Sequence, residues 1–239
     1  MRKLISLVML VAIGSGIWVS LTGVRFGAES AGDDSASGQE RVNFGRYYVQ
    51  KGIDQTGATN IVSSVVVGYR GLDTLGEVTV LLVAATGVAM VLHLAAKTDS
   101  QAASEPSSLV VFTGCRFLFP LILLFGTYVF VHGHLTPGGG FQGGAVIASA
   151  FLLVYLGCRE RKLNETGLRL AESLSGLVFV VVGLLGLALG GAFLLDFLPR
   201  GSAYLLFSAG IIPILYVAIG FKVGSELGAI IDKLAEKAK

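Results

Sequence analysis

The sequence predicts an all-α integral membrane protein, a helical bundle of about six transmembrane helices with both termini cytoplasmic. Three observations carry that expectation. Hydrophobic residues make up 53% of the 239 and charged residues only 14%, with a mean hydropathy of +0.75; a soluble domain carries about 25% charged residues. Glycine is abundant, at 33 residues, which suits helices packed closely in lipid. Six stretches, roughly 4–23, 72–95, 109–131, 140–158, 173–195 and 203–224, reach the ~20 mostly apolar residues that a span needs. The net charge of +2 is too small to suggest nucleic acid. No phosphate loop, dinucleotide fingerprint or nucleophile elbow is present, so no enzymatic activity is expected. Cys115 and Cys158 show no metal-ligand spacing, so neither a cofactor nor a metal is expected.

Arg2 and Lys3 precede the first apolar run, which reaches from Leu4 to about Leu21. A signal core holds about 7–15 residues, so this run reads as a span. Residues 28–40 are small, polar and acidic, an outer loop. A short apolar helix over 59–67 has too few residues to cross and lies at the outer interface or dips in and returns. Gly68 and Gly71 then break the chain before the span that starts near Leu72. Residues 98–108 read as a flexible inner linker. It divides the chain into a two-span block, 1–97, and a four-span block, 109–239. Pro120 and Pro213 inside spans suggest kinks. The stretch from Ser173 to Leu195 carries no charged residue, and its glycines at 183, 186, 190 and 191 would admit a neighbouring helix. Orientation follows from the basic turn Arg159–Arg169, because short basic loops stay inside. That places the turn after residue 131 on the outer face.

Ionisable groups inside the spans are the candidate functional residues, because burying charge in lipid is costly. Arg70, Asp73 and Glu77 fall at i, i+3 and i+7 along one helix face. Asp73 sits in the first turn, where the helix dipole favours a carboxylate, and Glu77 lies deeper, at roughly 8 Å depth. Either Asp73 caps the helix and Glu77 pairs with Arg70 or reaches outward, or Glu77 exchanges a proton or binds a cation on an ion route. Arg116 and Glu226 lie at comparable depth near the inner face and are expected to pair. Lys222 is expected to reach the interface, and His93 reads as a polar interface residue.

The segment from Val131 to Gly144, VHGHLTPGGGFQGG, joins two spans. His132 and His134 could relay protons, since histidine titrates near neutral pH; two histidines without a third ligand are weak evidence for a metal. Gly138, Gly139, Gly140, Gly143 and Gly144 permit unusual backbone angles and close approach. Pro137 stiffens the return into the next helix, and Gln142 would satisfy freed backbone groups. A packed, rigid turn is the first expectation and a histidine relay the second.

This segment resembles the signature of the B subunit of the Mrp (Mnh) multisubunit Na+/H+ antiporter family, over most of residues 109–239. Asn60-Ile61-Val62 and Tyr69-Arg70-Gly71-Leu72-Asp73-Thr74-Leu75-Gly76-Glu77, within residues 45–97, resemble the C-terminal region of the large A subunit, a region that forms a subunit of its own in hydrogenase-type complexes. The resemblance implies a non-catalytic subunit of a cation/proton antiporter module in the cell membrane. It implies other Mrp-type subunits as partners and sodium and protons as the ions. The alternative is the same module within a membrane-bound hydrogenase- or sulfur-reductase-type respiratory complex. A self-sufficient transporter is disfavoured, because inverted repeats with a broken helix in each half are not seen.

Overall fold

The structure is a computed structural model that describes residues 44–95, 108–157 and 164–237, together with the helical positions Val11, Ser15 and Trp18. The chain divides into two units, Met1–Val42 and Asn43–Lys239, and the bundle belongs to the second. The span expected over 4–23, the acidic loop 28–40, most of the linker 98–108, Cys158 and the basic residues 159–162 lie outside the described residues, as does the side chain of His93.

Among the described residues the chain runs α1 (Phe44–Thr56), a helical turn Ile61–Ser63 that widens into a π-helical segment Ser64–Tyr69, α2 (Gly71–Ala95), α3 (Leu109–Val131), α4 (Gly140–Gly157), α5 (Glu165–Gly190) and α6 (Ile212–Lys237). Five of these, α2 to α6, are long and apolar enough to cross a membrane. The protein is an all-α membrane bundle.

Helix α6 is its axis. It packs against α4, α5, α2 and α3, and 61% of its span is buried, against 6% for α2. Leu215, Ile219 and Val223 of α6 meet Phe179 and Val182 of α5, Val78 of α2 and Val67 of the π segment in one apolar core. The closest approach is to α4. A Cβ added at Gly140 would stand 2.5 Å from the Ile219 Cβ, and one at Gly144 would stand 2.7 Å from the Val223 Cβ. Small residues four apart let two backbones meet this way in lipid.

The spans over 72–95, 109–131 and 140–158 are found within a residue of the expected bounds. The last two are displaced, and local chemistry explains each. Helix α5 starts at Glu165 because the Asn164 side chain accepts the Gly167 N–H at 3.2 Å, a cap that favours helix over residues too polar to register as apolar. It stops at Gly190 because Gly191 turns left-handed at φ 81°. Its glycines receive the returning chain: Phe193 lies against Gly183 and Leu195 against Gly186 and Gly190, and the Leu194 N–H donates to the Gly183 carbonyl at 3.2 Å. The expected neighbouring helix is thus replaced by the chain's own connector.

Helix α6 starts at Ile212, not near 203. Tyr204, Ala209 and Gly210 all adopt positive φ, which interrupts helix, and the Asp196 carboxylate accepts the Ile211 N–H at 3.2 Å where helix begins. Pro213 therefore sits in the first turn, where its missing N–H costs nothing, and it makes no kink. Pro120 does lie inside its helix.

Candidate functional site

The turn between α3 and α4 is built from backbone outward. His132 ends α3, and its carbonyl accepts the N–H groups of Leu135 and Thr136, each at 2.9 Å. Gly133 and Gly139 approach so closely that a Cβ at Gly133 would stand 2.8 Å from the Gly139 Cα. Gly139 itself has φ 153° and carries the Gln142 amide oxygen directly above it. The Gly139 carbonyl then receives the Gly143 N–H at 3.0 Å and opens α4. Pro137 is exposed on the way in, Gly138 fits against the Val129 carbonyl, and Gly143 fits against the Gly126 carbonyl of α3. These contacts pack the turn tightly.

A clamp that the residue pattern did not announce holds this turn. It comes from the other block of the chain. The Asn60 N–H donates to the His134 carbonyl at 3.0 Å, and its side-chain amide donates to the carbonyls of Gly133 at 2.8 Å and Thr136 at 2.9 Å. The Thr59 hydroxyl reaches the Leu135 carbonyl at 3.0 Å, and the buried Ser63 hydroxyl reaches the Gly133 carbonyl at 2.6 Å. Asn60 also caps the Ile61–Ser63 turn, accepting the Val62 N–H at 3.1 Å. Carbonyls freed by an irregular turn need donors when water is excluded, and these three side chains supply them. The visible signal was a cap-forming Asn ahead of an apolar run; its partners carry no side-chain signature.

The two histidines have different surroundings. The His132 ring stacks on Tyr128 with centroids 4.3 Å apart and lies within 3.3 Å of the Tyr128 carbonyl through Nδ1. His134 is fully buried. Burial holds its imidazole below the usual 6.5, and neither ring nitrogen has a hydrogen-bond partner among the described residues. Among the described residues no three His, Cys, Asp or Glu gather as a metal ion would require.

The Arg70–Glu77 stretch presents its charged groups outside the core. The Arg70 guanidinium grips Asp73, with Nη2 to Oδ2 at 2.5 Å and Nε to Oδ2 at 2.6 Å. Both side chains are exposed. They border an open cleft of about 360 Å³ whose other wall is Phe193, Leu194 and Leu195. Glu77 lies one turn beyond Asp73 on the exposed face of α2, while Thr74 and Val78 turn into the core. Arg70 is thus committed to Asp73.

The expected Arg116–Glu226 pair does not form. Arg116 is exposed on α3, with its guanidinium carbon 5.7 Å from the Phe112 ring centroid. Glu226 is 1% exposed and pairs with Lys222, Nζ to Oε1 at 2.6 Å. The later start of α6 is the cause. It carries Lys222 and Glu226 to mid-span, one turn apart on a buried face, and denies Lys222 the interface.

Fold and site define a class: a multi-pass, all-α membrane protein in which residues 59–63 clamp a glycine-rich turn and the charged side chains of Arg70, Asp73 and Glu77 are exposed. Its membership is specific. A family profile described as "Domain related to MnhB subunit of Na+/H+ antiporter" matches residues 110–229, and a profile of the E subunit of MBH matches residues 35–105. The chain belongs to the MnhB-related family. It is 32% identical over 69% of its length to an uncharacterized protein of Methanocaldococcus jannaschii, covering 72% of that protein. It is similar in structure, with TM-score 0.73 and 43% identity, to a chain of the membrane-bound sulfane sulfur reductase, an archaeal respiratory membrane complex, covering 98% of this chain and 97% of that one. A chain of the Mrp complex from Dietzia sp. DQ12-45-1b matches with TM-score 0.67 and 28% identity, over 98% of this chain and 26% of that one.

Proposed function

We propose that this protein is a non-catalytic subunit of a cation/proton antiporter module, holding the module together and lending Glu77 to an ion or proton route. The observation that carries this reading is the exposure of Glu77. Its carboxylate stands on the open face of α2, within the span Gly71–Leu92. An ionised carboxylate at depth in lipid costs on the order of 2.5 kcal/mol or more, so a companion subunit or a wet path must cover it. Sodium and protons are the ions that the family description suggests, and neighbouring membrane subunits are the partners. The cytoplasmic placement of both termini, and the division at the 98–108 linker into a two-helix module and a four-helix domain, belong to the same proposal.

The test is Glu77→Gln in the assembled complex, which keeps the volume and removes the charge. Cation-driven proton flux in vesicles is expected to fall about tenfold or more while the subunits still co-purify. Normal flux from a normally assembled variant would remove Glu77 from the route.

A second reading sets the module in a redox-driven respiratory complex. It is favoured by the end-to-end match to one chain of the sulfane sulfur reductase complex, against a quarter of the Dietzia chain. Iron–sulfur or nickel–iron subunits among the co-purifying chains would support it, and their absence from an intact complex would leave the stand-alone antiporter.

A further inference from the structure

The buried pair on α6 is distinct from both the glycine-rich turn and the Arg70–Glu77 stretch. Lys222 lies about 15 Å along the helix from Ile212, and Glu226 about 14 Å from Ala235, at 1.5 Å per residue, so the pair straddles the middle of the span Ile212–Ala235. The Lys222 and Glu226 side chains are 8% and 1% exposed. The ammonium meets Oε1, and the second oxygen, Oε2, is buried with no hydrogen-bond donor. From α5, half-buried Glu172 brings a second negative charge into the neighbourhood of Glu226. Arg169 stands at the exposed end of α5, one turn before Glu172.

The other walls are apolar here. Phe151 and Ile147 of α4 press on Gly228 and Gly224, and Phe130 of α3 presses on Gly220. The helix α2 contributes Val78 to the core. Tyr155 of α4 bonds to Asp232, nearer the end of α6, and the buried Tyr216 lies nearer its start.

A purely structural ion pair buried in lipid is expected to have its remaining lone pairs satisfied, because unpaired buried oxygens forfeit what the pair gains. This one keeps an empty acceptor and has a second carboxylate, Glu172, within electrostatic reach. We propose that the Lys222–Glu226 pair is a proton-exchange site at the membrane centre. A proton arriving from water forms an O–H bond at Oε2 of Glu226. The neutral carboxyl then releases the Lys222 ammonium, which swings toward Glu172, and loss of the proton restores the pair. Exchange between two partners for one ammonium is the bistable element that such a site requires. The inference rests on the antiporter-module reading and adds to it a second titrating position, on α6.

The experiment uses the assembled complex in proteoliposomes, comparing wild type with the double variant Lys222→Met, Glu226→Gln. Replacing both members of a buried pair with neutral groups of similar volume is often harmless to folding. Normal assembly with cation-coupled proton flux reduced about tenfold or more is expected. Normal assembly with unchanged flux overturns the site and leaves the antiporter reading standing, whereas a wild-type complex without such flux removes that reading itself. If the double variant does not assemble, acidification-induced infrared difference spectra of wild type carrying 13C-carboxyl glutamate decide. A protonated-glutamate band that rises with acid and shifts in Lys222→Arg is expected. No rising band, or one indifferent to Lys222→Arg, overturns the proposal.

Discussion

The turn at His132–Gly144 and the stretch at Arg70–Glu77 both bring polar chemistry to helix ends, yet they solve opposite problems. In the turn every exceptional carbonyl finds a donor inside the chain: Gly133, His134, Leu135 and Thr136 are all answered by Thr59, Asn60 and Ser63. In the stretch, Arg70 and Asp73 answer only each other, and Glu77 looks away from the bundle. The main chain of one region is satisfied by folding. The other stays exposed, and its completion by assembly is part of the function proposed above. Polar groups in this chain therefore divide into those answered within the fold and those left exposed by it.

The comparison can be broken most severely at Gly140. Gly140→Leu would drive a side chain into Ile219, whose Cβ is 2.5 Å from the new Cβ position. Overpacking of this kind costs about 1–3 kcal/mol or more, and here backbone blocks relief. The expected result is near-complete loss of the chain from the purified complex, read by quantitative blotting of solubilised membranes.

Asn60→Ala comes next. It deletes two side-chain hydrogen bonds to turn carbonyls, worth about 1 kcal/mol each. Thermal unfolding of the extracted subunit is expected to move down by several degrees. An unchanged midpoint would mean that the clamp contributes nothing beyond packing.

His134 supplies a smaller, pH-dependent effect. Its folded pKa is depressed below 6.5 by burial, so the folded state binds its proton less readily than the unfolded one. The stabilisation is fully present above pH 6.5 and is lost as the pH falls through the folded value. Midpoints measured from pH 8 downward are expected to drop below about pH 6.5, and His134→Gln should flatten that slope. A slope that survives the substitution would locate the titration elsewhere.

The smallest effect belongs to Arg70→Gln. An exposed ion pair contributes at most about 1 kcal/mol, so subunit stability should stay within error. A large loss of stability there would erase the contrast between a region answered within the fold and one left exposed by it.

Much of the bundle is legible in the residues alone, for identifiable reasons. The spans near 72, 109 and 140 fall within a residue of expectation because Gly71, Ser108 and Gly140 mark their starts by turn chemistry. The packed turn is legible because five glycines and a proline leave few other uses. Glu226 is paired wrongly when the last helix is placed by apolarity alone, which misses the left-handed residues before Ile212. With that start known, Lys222 and Glu226 stand at i and i+4, the ordinary spacing for a helical pair. The Asn60 clamp stays hidden for a deeper reason: it binds main-chain oxygens, which every residue possesses.

The wide turn at Ser64–Tyr69 has one more consequence. There the Arg70 N–H reaches back five residues to the Val65 carbonyl at 2.9 Å, and the Val66 carbonyl, bypassed, is taken up by the buried Thr74 hydroxyl at 2.8 Å. One surplus residue is thereby stored in the coil ahead of α2. Deleting it would let ordinary winding close and would rotate α2 by about 100°, swinging Glu77 off its present azimuth. The aim of that carboxylate is thus set by a local count of residues, and swapping the glutamate alone cannot reset it.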